Sequence, residues 1–261
     1  MKLTIIGNGA MAKALIIGLH EKFELELVAK DTDKATKTIE TMENIKTKID
    51  IYDINNFNID NKIILLCVKP NALLDVANKL KGKAKALISI LAGTKIEDLK
   101  NAIMSEYTVR AMPNIAAQFA LSTTTLVGDD GFKETSIEIM SAIGDTMWLG
   151  SERELDIATA VAGSATAVAG SGPAYLALVA EAMMDGAVAV GLKRADSIAL
   201  TNSLFRGFAP LLSSSHPALL KDSVMSPAGT TAAGYKELEA GRVRASFIKA
   251  IASAFEVTQT N

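Results

Sequence analysis

Through the first half of the chain, short runs of consecutive apolar and β-branched residues alternate with segments of helical periodicity. Leu3–Ile6, Leu25–Val28, Ile63–Val68, Ala86–Ile90 and Thr108–Met112 read as strands, and Met11–Leu19, Asp33–Met42, Leu73–Leu80 and Ile96–Ile103 as the helices between them. Strands that are apolar at nearly every position need cover on both faces, which is the signature of a parallel, doubly wound α/β sheet. Ser122–Val127 and Asp145–Leu149, flanking a helix near Glu134–Ala142, extend the edge of that sheet before Gly150 and Ser151 close it. From Glu152 onward no alternating β-branched run recurs and Ala-rich helical periodicity takes over. Helices are expected near Glu152–Ala169, Ala174–Val190, Arg194–Ser213, Ala232–Glu239 and Arg242–Thr258. The pattern therefore divides the chain into an α/β domain over residues 1–151 and an all-α domain over 152–261.

With 261 residues, 49% of them hydrophobic, and a formal net charge of −2, the chain has ample material for packed cores, which excludes a disordered or fibrous protein. It carries no block of Lys and Arg, so nucleic acid is not expected as a partner. One cysteine, Cys67, and two histidines, His20 and His216, cannot close a zinc site or an internal disulfide, so no metal and a reducing cytoplasm are expected. Ile157–Ala180 lacks charge, but it is mostly Ala, Gly, Ser and Thr and is broken at Gly172-Pro173. Small residues of this kind suit close helix pairing within or between subunits rather than a bilayer span. The segment contains a tandem duplication, Ala158–Ser164 repeated as Ala165–Ser171. A shift of that length turns a helix face by only ~20°, so a lengthened helix keeps its buried stripe aligned. The N-terminus offers only Leu3–Ile6 before the glycines, too short for a signal-peptide core.

Gly7-Asn8-Gly9-Ala10-Met11-Ala12 stands between the first strand and the first helix, in the G-x-G-x-x-A form of a dinucleotide fingerprint. Gly7 serves the tight turn, Gly9 the approach of the pyrophosphate, and Ala12 close helix-to-strand packing. At the end of the second strand, Ala29 cannot bind a ribose diol and Lys30 can neutralise a 2′-phosphate, which favours NADPH with NADH as the alternative; the neighbouring Asp31 argues the other way. The turns at Cys67-Val68-Lys69-Pro70, Ile90–Gly93 and Arg110–Asn114 follow strands whose carboxyl ends border the ligand crevice of such a sheet. Cys67 reads as strand packing, and His20 and His216 as surface or capping residues. Ser226–Thr231 offers backbone N–H groups and hydroxyls at a helix start, which suits a carboxylate; helix capping is the simpler reading of the same spacing.

As an ordered set these motifs resemble the pyrroline-5-carboxylate reductase family. Gly7–Ala12, Val68–Pro70, Ser89–Gly93, Arg110–Asn114, Gly170–Tyr175, His216-Pro217 with Leu220–Asp222, and Ser226–Thr231 carry the resemblance across nearly the whole chain. It implies a Rossmann-like N-terminal domain, an all-α C-terminal dimerisation domain, and NAD(P)H-dependent reduction of the C=N bond of 1-pyrroline-5-carboxylate to L-proline. It further implies that Gly7, Asn8, Gly9, Ala10, Met11 and Ala12 hold the pyrophosphate, that Lys30 meets the 2′-phosphate, and that Val68, Lys69, Pro70 and Ala92 border the nicotinamide ribose. Asn114 would sit near nicotinamide and substrate. Ser226, Gly229, Thr230 and Thr231 would bind the substrate carboxylate, Thr231 also hydrogen-bonding the imine nitrogen. The family's dimers often assemble into decamers. Ala228 replaces a usual glycine of the loop, which calls for a backbone angle that tolerates a Cβ, and Ile115-Ala116 replaces a usual Thr-Pro. Two alternatives stay open on residues alone: a hydroxyacid or other imine reductase using Lys193 or Lys221, and a dinucleotide-binding module without catalysis.

Overall fold

The structure, a computed structural model, describes residues 1–42, 45, 47–159 and 171–260. The chain separates into two compact units, Met1–Pro173 joined by the residues from Ala254 onward, and Ala174–Ser253.

In the first unit, strands and helices follow one another as β1 (Lys2–Ile6), α1 (Ala10–Leu19), β2 (Glu24–Ala29), α2 (Thr32–Glu40), β3 (Asp50–Asp53), β4 (Phe57–Asn58), β5 (Ile63–Leu66), α3 (Leu73–Ala77), β6 (Leu80–Lys81), β7 (Ala84–Ser89), α4 (Ile96–Ala102), β8 (Ser105–Met112), β9 (Ser122–Gly128), α5 (Lys133–Ser141), β10 (Gly144–Trp148) and α6 (Glu152–Ala158). Eight strands form one sheet in the order β10-β9-β8-β7-β5-β1-β2-β3; β4 and β6 pair separately. From β1 the chain winds outward to β2 and β3, then crosses to β5 and winds the other way, so the order reverses between β1 and β5. That reversal is where the carboxyl ends of a doubly wound sheet leave a ligand crevice.

The apolar runs behave as two-faced strands. Ile63, Leu65 and Cys67 join one buried cluster with Leu3, Ile5, Leu15 and Ile88, while Ile64 and Leu66 join another with Ile6, Leu87 and Leu99 on the opposite face. β8 and β9 are antiparallel, the one exception among the paired strands of the large sheet. The segment 113–121 between them holds only a 3₁₀ turn at Ile115–Phe119, too little chain for a crossover, so β9 runs back antiparallel to β8.

Some elements escape the apolar pattern. β3, with the sequence Asp-Ile-Tyr-Asp, is half exposed because it lies at the sheet edge, where acids remain solvated. His216 N-caps α9 (Pro217–Ser223), its Nδ1 accepting the Ala218 N–H at 3.2 Å, so the His-Pro pair begins a helix rather than merely ending one. His20 closes α1, buried, with Nδ1 2.8 Å from the Ile17 carbonyl oxygen.

The remaining elements are all helical: α7 (Ser171–Ala189), α8 (Arg194–Ser214), α9, α10 (Thr230–Ala240) and α11 (Val243–Thr260). Within the second unit, Ser197 Oγ donates to the Met184 carbonyl at 2.9 Å, and Tyr175 meets Phe247 edge-on. Among the described residues of this unit only Ser197 and Thr201 are buried, and no large apolar side chain is. Apart from Ala158, Thr159 and Ser171, the duplicated segment lies outside the described residues, as does the expected helix beyond Thr159. No helix among the described residues is long and apolar enough to cross a membrane.

Candidate active site

The β1–α1 turn is wedged between the ends of two strands. Gly7 donates its N–H to the Val28 carbonyl at 2.9 Å and has φ +113°, a left-handed angle that glycine reaches without strain. A Cβ there would lie 2.4 Å from the Cys67 carbonyl oxygen, so the turn has no room for one. Two residues on, Gly9 N-caps α1 with no side-chain cap, and a Cβ at Gly9 would meet no atom within 4 Å. The first amides of α1 thus open onto unfilled space, the arrangement that receives a pyrophosphate at a helix N-terminus.

That space is a cleft of about 1270 Å³ whose walls include Gly7, Asn8, Gly9, Ala10 and Met11, then Val68, Lys69 and Pro70, and across from them Ile90, Gly93, Thr94 and Ile115. Ala12 is fully buried beneath it, where its small side chain lets α1 sit close to the sheet. Ala92 lies half-buried between Ile90 and Gly93 and is not itself part of the wall. Asn71, Leu74, Asp98 and Asn101 also line the cleft, and the motifs do not single them out because they come from the flanks of α3 and α4. Cys67 borders the cleft, but burial pushes its thiol well up from its ordinary value, so it is not a thiolate at neutral pH.

A second hollow of about 630 Å³ shares Asn8 with the cleft and is lined by Lys30, Asp31, Thr32, Asp33 and Lys34. Asp31 is engaged as the N-cap of α2, its Oδ1 accepting the Lys34 N–H at 2.9 Å. Its carboxylate therefore serves the helix, while exposed Lys30 borders the hollow. The donor set fits NADP: a glycine cradle for the pyrophosphate and a lysine where a 2′-phosphate would lie.

Asn114 is buried after β8, its Oδ1 accepting the Ala116 N–H at 3.0 Å and its own N–H donating to Ser122 Oγ at 2.9 Å. Its neighbour Ile115, rather than Asn114, is part of the cleft wall.

Ser226, Gly229, Thr230 and Thr231 belong to the second unit, at the start of α10. Gly229 is the N-cap, donating its N–H to the Ser226 carbonyl at 3.0 Å, and no side chain caps the helix. A Cβ at Gly229 would lie 2.4 Å from Ser226 Oγ, so the loop folds back on itself tightly. Ser226, Thr230 and Thr231 are exposed. None of these hydroxyls is engaged as a cap, and the first amides of α10 have no partner within the helix. Ala228 corrects an expectation: its φ is +59°, in the left-handed region, instead of an angle comfortable for a Cβ. The return of the chain onto Gly229 dictates that angle, and Ala228 carries it as strain.

Among the described residues no group of three or more His, Cys, Asp or Glu is placed to hold a metal ion.

Fold and cleft together define a dinucleotide-binding protein on a Rossmann-like sheet. Residues 2–93 match the family described as NADP oxidoreductase coenzyme F420-dependent, and residues 163–260 match pyrroline-5-carboxylate reductase dimerisation. The pyrroline-5-carboxylate reductase of Helicobacter pylori (strain J99) is 34% identical, over 95% of this chain and 95% of its own. Two solved structures are similar end to end at 26% identity. That of 1-pyrroline-5-carboxylate reductase from Streptococcus pyogenes has a TM-score of 0.83, and that of Plasmodium falciparum pyrroline carboxylate reductase with NADP bound 0.80; each covers 100% of this chain and 99% of its own. The chain belongs to the pyrroline-5-carboxylate reductase family.

Proposed function

We propose that this protein reduces 1-pyrroline-5-carboxylate to L-proline with NADPH, the last step of proline biosynthesis, and that the residues assigned above carry the work. The observation that supports it best is the glycine cradle at Gly7–Ala12 opening onto a cleft that shares Asn8 with the Lys30 hollow. When bound, NADPH supplies the hydride that adds to the C=N carbon. The chain's own part is placement. The first amides of α1 hold the pyrophosphate, Lys30 neutralises the 2′-phosphate, and Val68, Lys69 and Pro70 border the nicotinamide ribose, with Ala92 and Asn114 set beside the wall residues Gly93 and Ile115.

Ser226, Gly229 and Thr230 hold the substrate carboxylate at the start of α10, and the Thr231 hydroxyl hydrogen-bonds the ring nitrogen. A cyclic imine takes its proton from water near neutral pH, so orientation of donor and acceptor dominates and no strong internal acid is needed. Residues 1–151 act as the dinucleotide-binding domain and 152–261 as the dimerisation and substrate domain of a cytoplasmic homodimer. Light scattering distinguishes that dimer from the decamer of the family resemblance.

The test follows NADPH absorbance, then NADH, on adding racemic 1-pyrroline-5-carboxylate to purified protein. Rapid oxidation of NADPH is expected, and NADPH binding without turnover would overturn the reading. Thr231→Ala is expected to lower kcat while NADPH affinity holds, and Lys30→Ala to weaken NADPH but not NADH. Equal weakening of both cofactors would remove Lys30 from the 2′-phosphate.

A further inference from the structure

Arg110 lies on β8 between Ser89 of β7 and Val127 of β9, with its side chain 1% exposed. A guanidinium taken from water must be matched by charge and hydrogen bonds. Glu152 Oε1 meets its Nη1 at 2.9 Å and Asp156 Oδ1 meets its Nη2 at 2.7 Å. These carboxylates stand at positions i and i+4 of α6, hence on one face of the helix.

The start of α6 is built locally by two side-chain bonds, a capping box whose return arm reaches one residue further back, to Gly150. Ser151 Oγ accepts the Glu154 N–H at 3.2 Å, and Glu154 Oε2 accepts the Gly150 N–H at 2.9 Å. The same Glu152 Oε1 that meets Arg110 also accepts the N–H of Ile96 at 2.9 Å. Ile96 is the first residue of α4, where helix geometry leaves the N–H without an internal partner. Just ahead of it runs the loop 91–95, which supplies Gly93 and Thr94 to the cleft wall. One carboxylate oxygen thus joins a buried cation on a central strand, the first turn of α6 and the exit of a cleft loop.

We propose that Glu152 is a positioning residue: held by Arg110, its carboxylate pins the loop 91–95 through the Ile96 N–H and thereby sets where the nicotinamide end of the cofactor lies for hydride transfer. The inference rests on the assignment of that loop to the nicotinamide ribose. Asp156 shares Arg110 but makes no such bond to Ile96, which makes it the control.

The experiment compares Glu152→Ala, Asp156→Ala and Ile96→Pro with wild type. Proline suits the first position of a helix, and Lys95 before it is already extended at φ −72° and ψ 154°, so Ile96→Pro deletes the N–H without forcing the backbone. It also trims a side chain packed against Met112, Val127 and Leu155, for which Ile96→Ala, which keeps the N–H, is the control and is expected to leave kcat near wild type. Amide hydrogen exchange of the cofactor-free protein is read over 91–95, alongside kcat and the dissociation constant of NADPH. In Glu152→Ala and Ile96→Pro, the loop is expected to exchange about tenfold faster. Turnover is expected to fall about tenfold with NADPH affinity nearly unchanged, since small misplacement of the reacting carbon is enough. Asp156→Ala is expected to lower Tm without either effect. Wild-type exchange and kcat in Ile96→Pro, or the same kcat loss in Asp156→Ala, would overturn the pin. Absence of turnover by the wild type would overturn the functional reading instead, while the exchange measurement still decides whether Glu152 holds the loop.

Discussion

A methyl group added at Gly7 would land 2.4 Å from a backbone oxygen, whereas one added at Gly9 would meet nothing within 4 Å. The two glycines of one motif therefore serve different ends, and substitution separates them. Gly7→Ala is expected to lower Tm together with NADPH affinity, because the turn itself must shift. Gly9→Ala is expected to keep the wild-type Tm yet lose most NADPH affinity, since its Cβ would stand where the pyrophosphate approaches. Paired calorimetry and cofactor titration check both. At Ala228 the chain pays about 1–2 kcal/mol for a left-handed alanine. Glycine gives part of that back to the unfolded chain, so Ala228→Gly is expected to stabilise the protein by about 1 kcal/mol, read as a rise in Tm. An unchanged or lower Tm would mean that the loop relieves the strain elsewhere. The cradle was legible because its residues are consecutive and its turn is local. Arg110, Glu152 and Asp156 were not, because their separation along the chain spans the whole β8–β10 edge and only the folded sheet brings them together.

At the scale of elements, the two ends of the parallel strands have separate duties. The carboxyl ends of β1, β5 and β7 lead into the turns that border the cleft. On the neighbouring strand β2, Glu26 is 2% exposed and lies opposite Thr4 of β1. Burial would raise its carboxyl, but hydrogen bonds from Lys62 at 2.7 Å, Thr4 at 2.6 Å and Lys2 at 2.9 Å outweigh this and hold it below its ordinary value of 4.5. A carboxyl lowered by folding contributes stability that is fully present above the unfolded value and is lost as pH falls through the folded one. Stability is therefore expected to decline below about pH 4.5 with a component that Glu26→Gln removes, measured by denaturant unfolding across that range. A slope unchanged by the substitution would assign the acid sensitivity to other groups. The alternation of Ile63 and Leu65 against Ile64 and Leu66 foretold a strand covered on both faces, while β3 escaped because an edge strand obeys no such rule.

For the whole molecule, the contrast between the units is one of burial. The sheet unit encloses two large apolar clusters, but the helices of the second unit leave Leu200, Leu204, Phe208 and Leu211 between 44% and 61% exposed along one stripe of α8. A contiguous apolar helix face is a surface awaiting a partner, and in the proposed dimer that partner is a second copy. Leu204→Glu is expected to shift the protein toward monomer in light scattering and to lower Tm. A dimer of undiminished stability would place the interface elsewhere.

The sequence by itself determined the α/β-then-α order, the position of the cradle and the loop at Ser226–Thr231, because each depends on contacts between neighbours in the chain. The joining of buried Glu26 to Lys2 and Lys62 and the meeting of Arg110, Glu152 and Ile96 were decided only by the tertiary structure. Their physical reason is shared: a charged hydrogen bond between distant positions forms only where strands and helices pack together, and packing joins residues that the chain keeps apart.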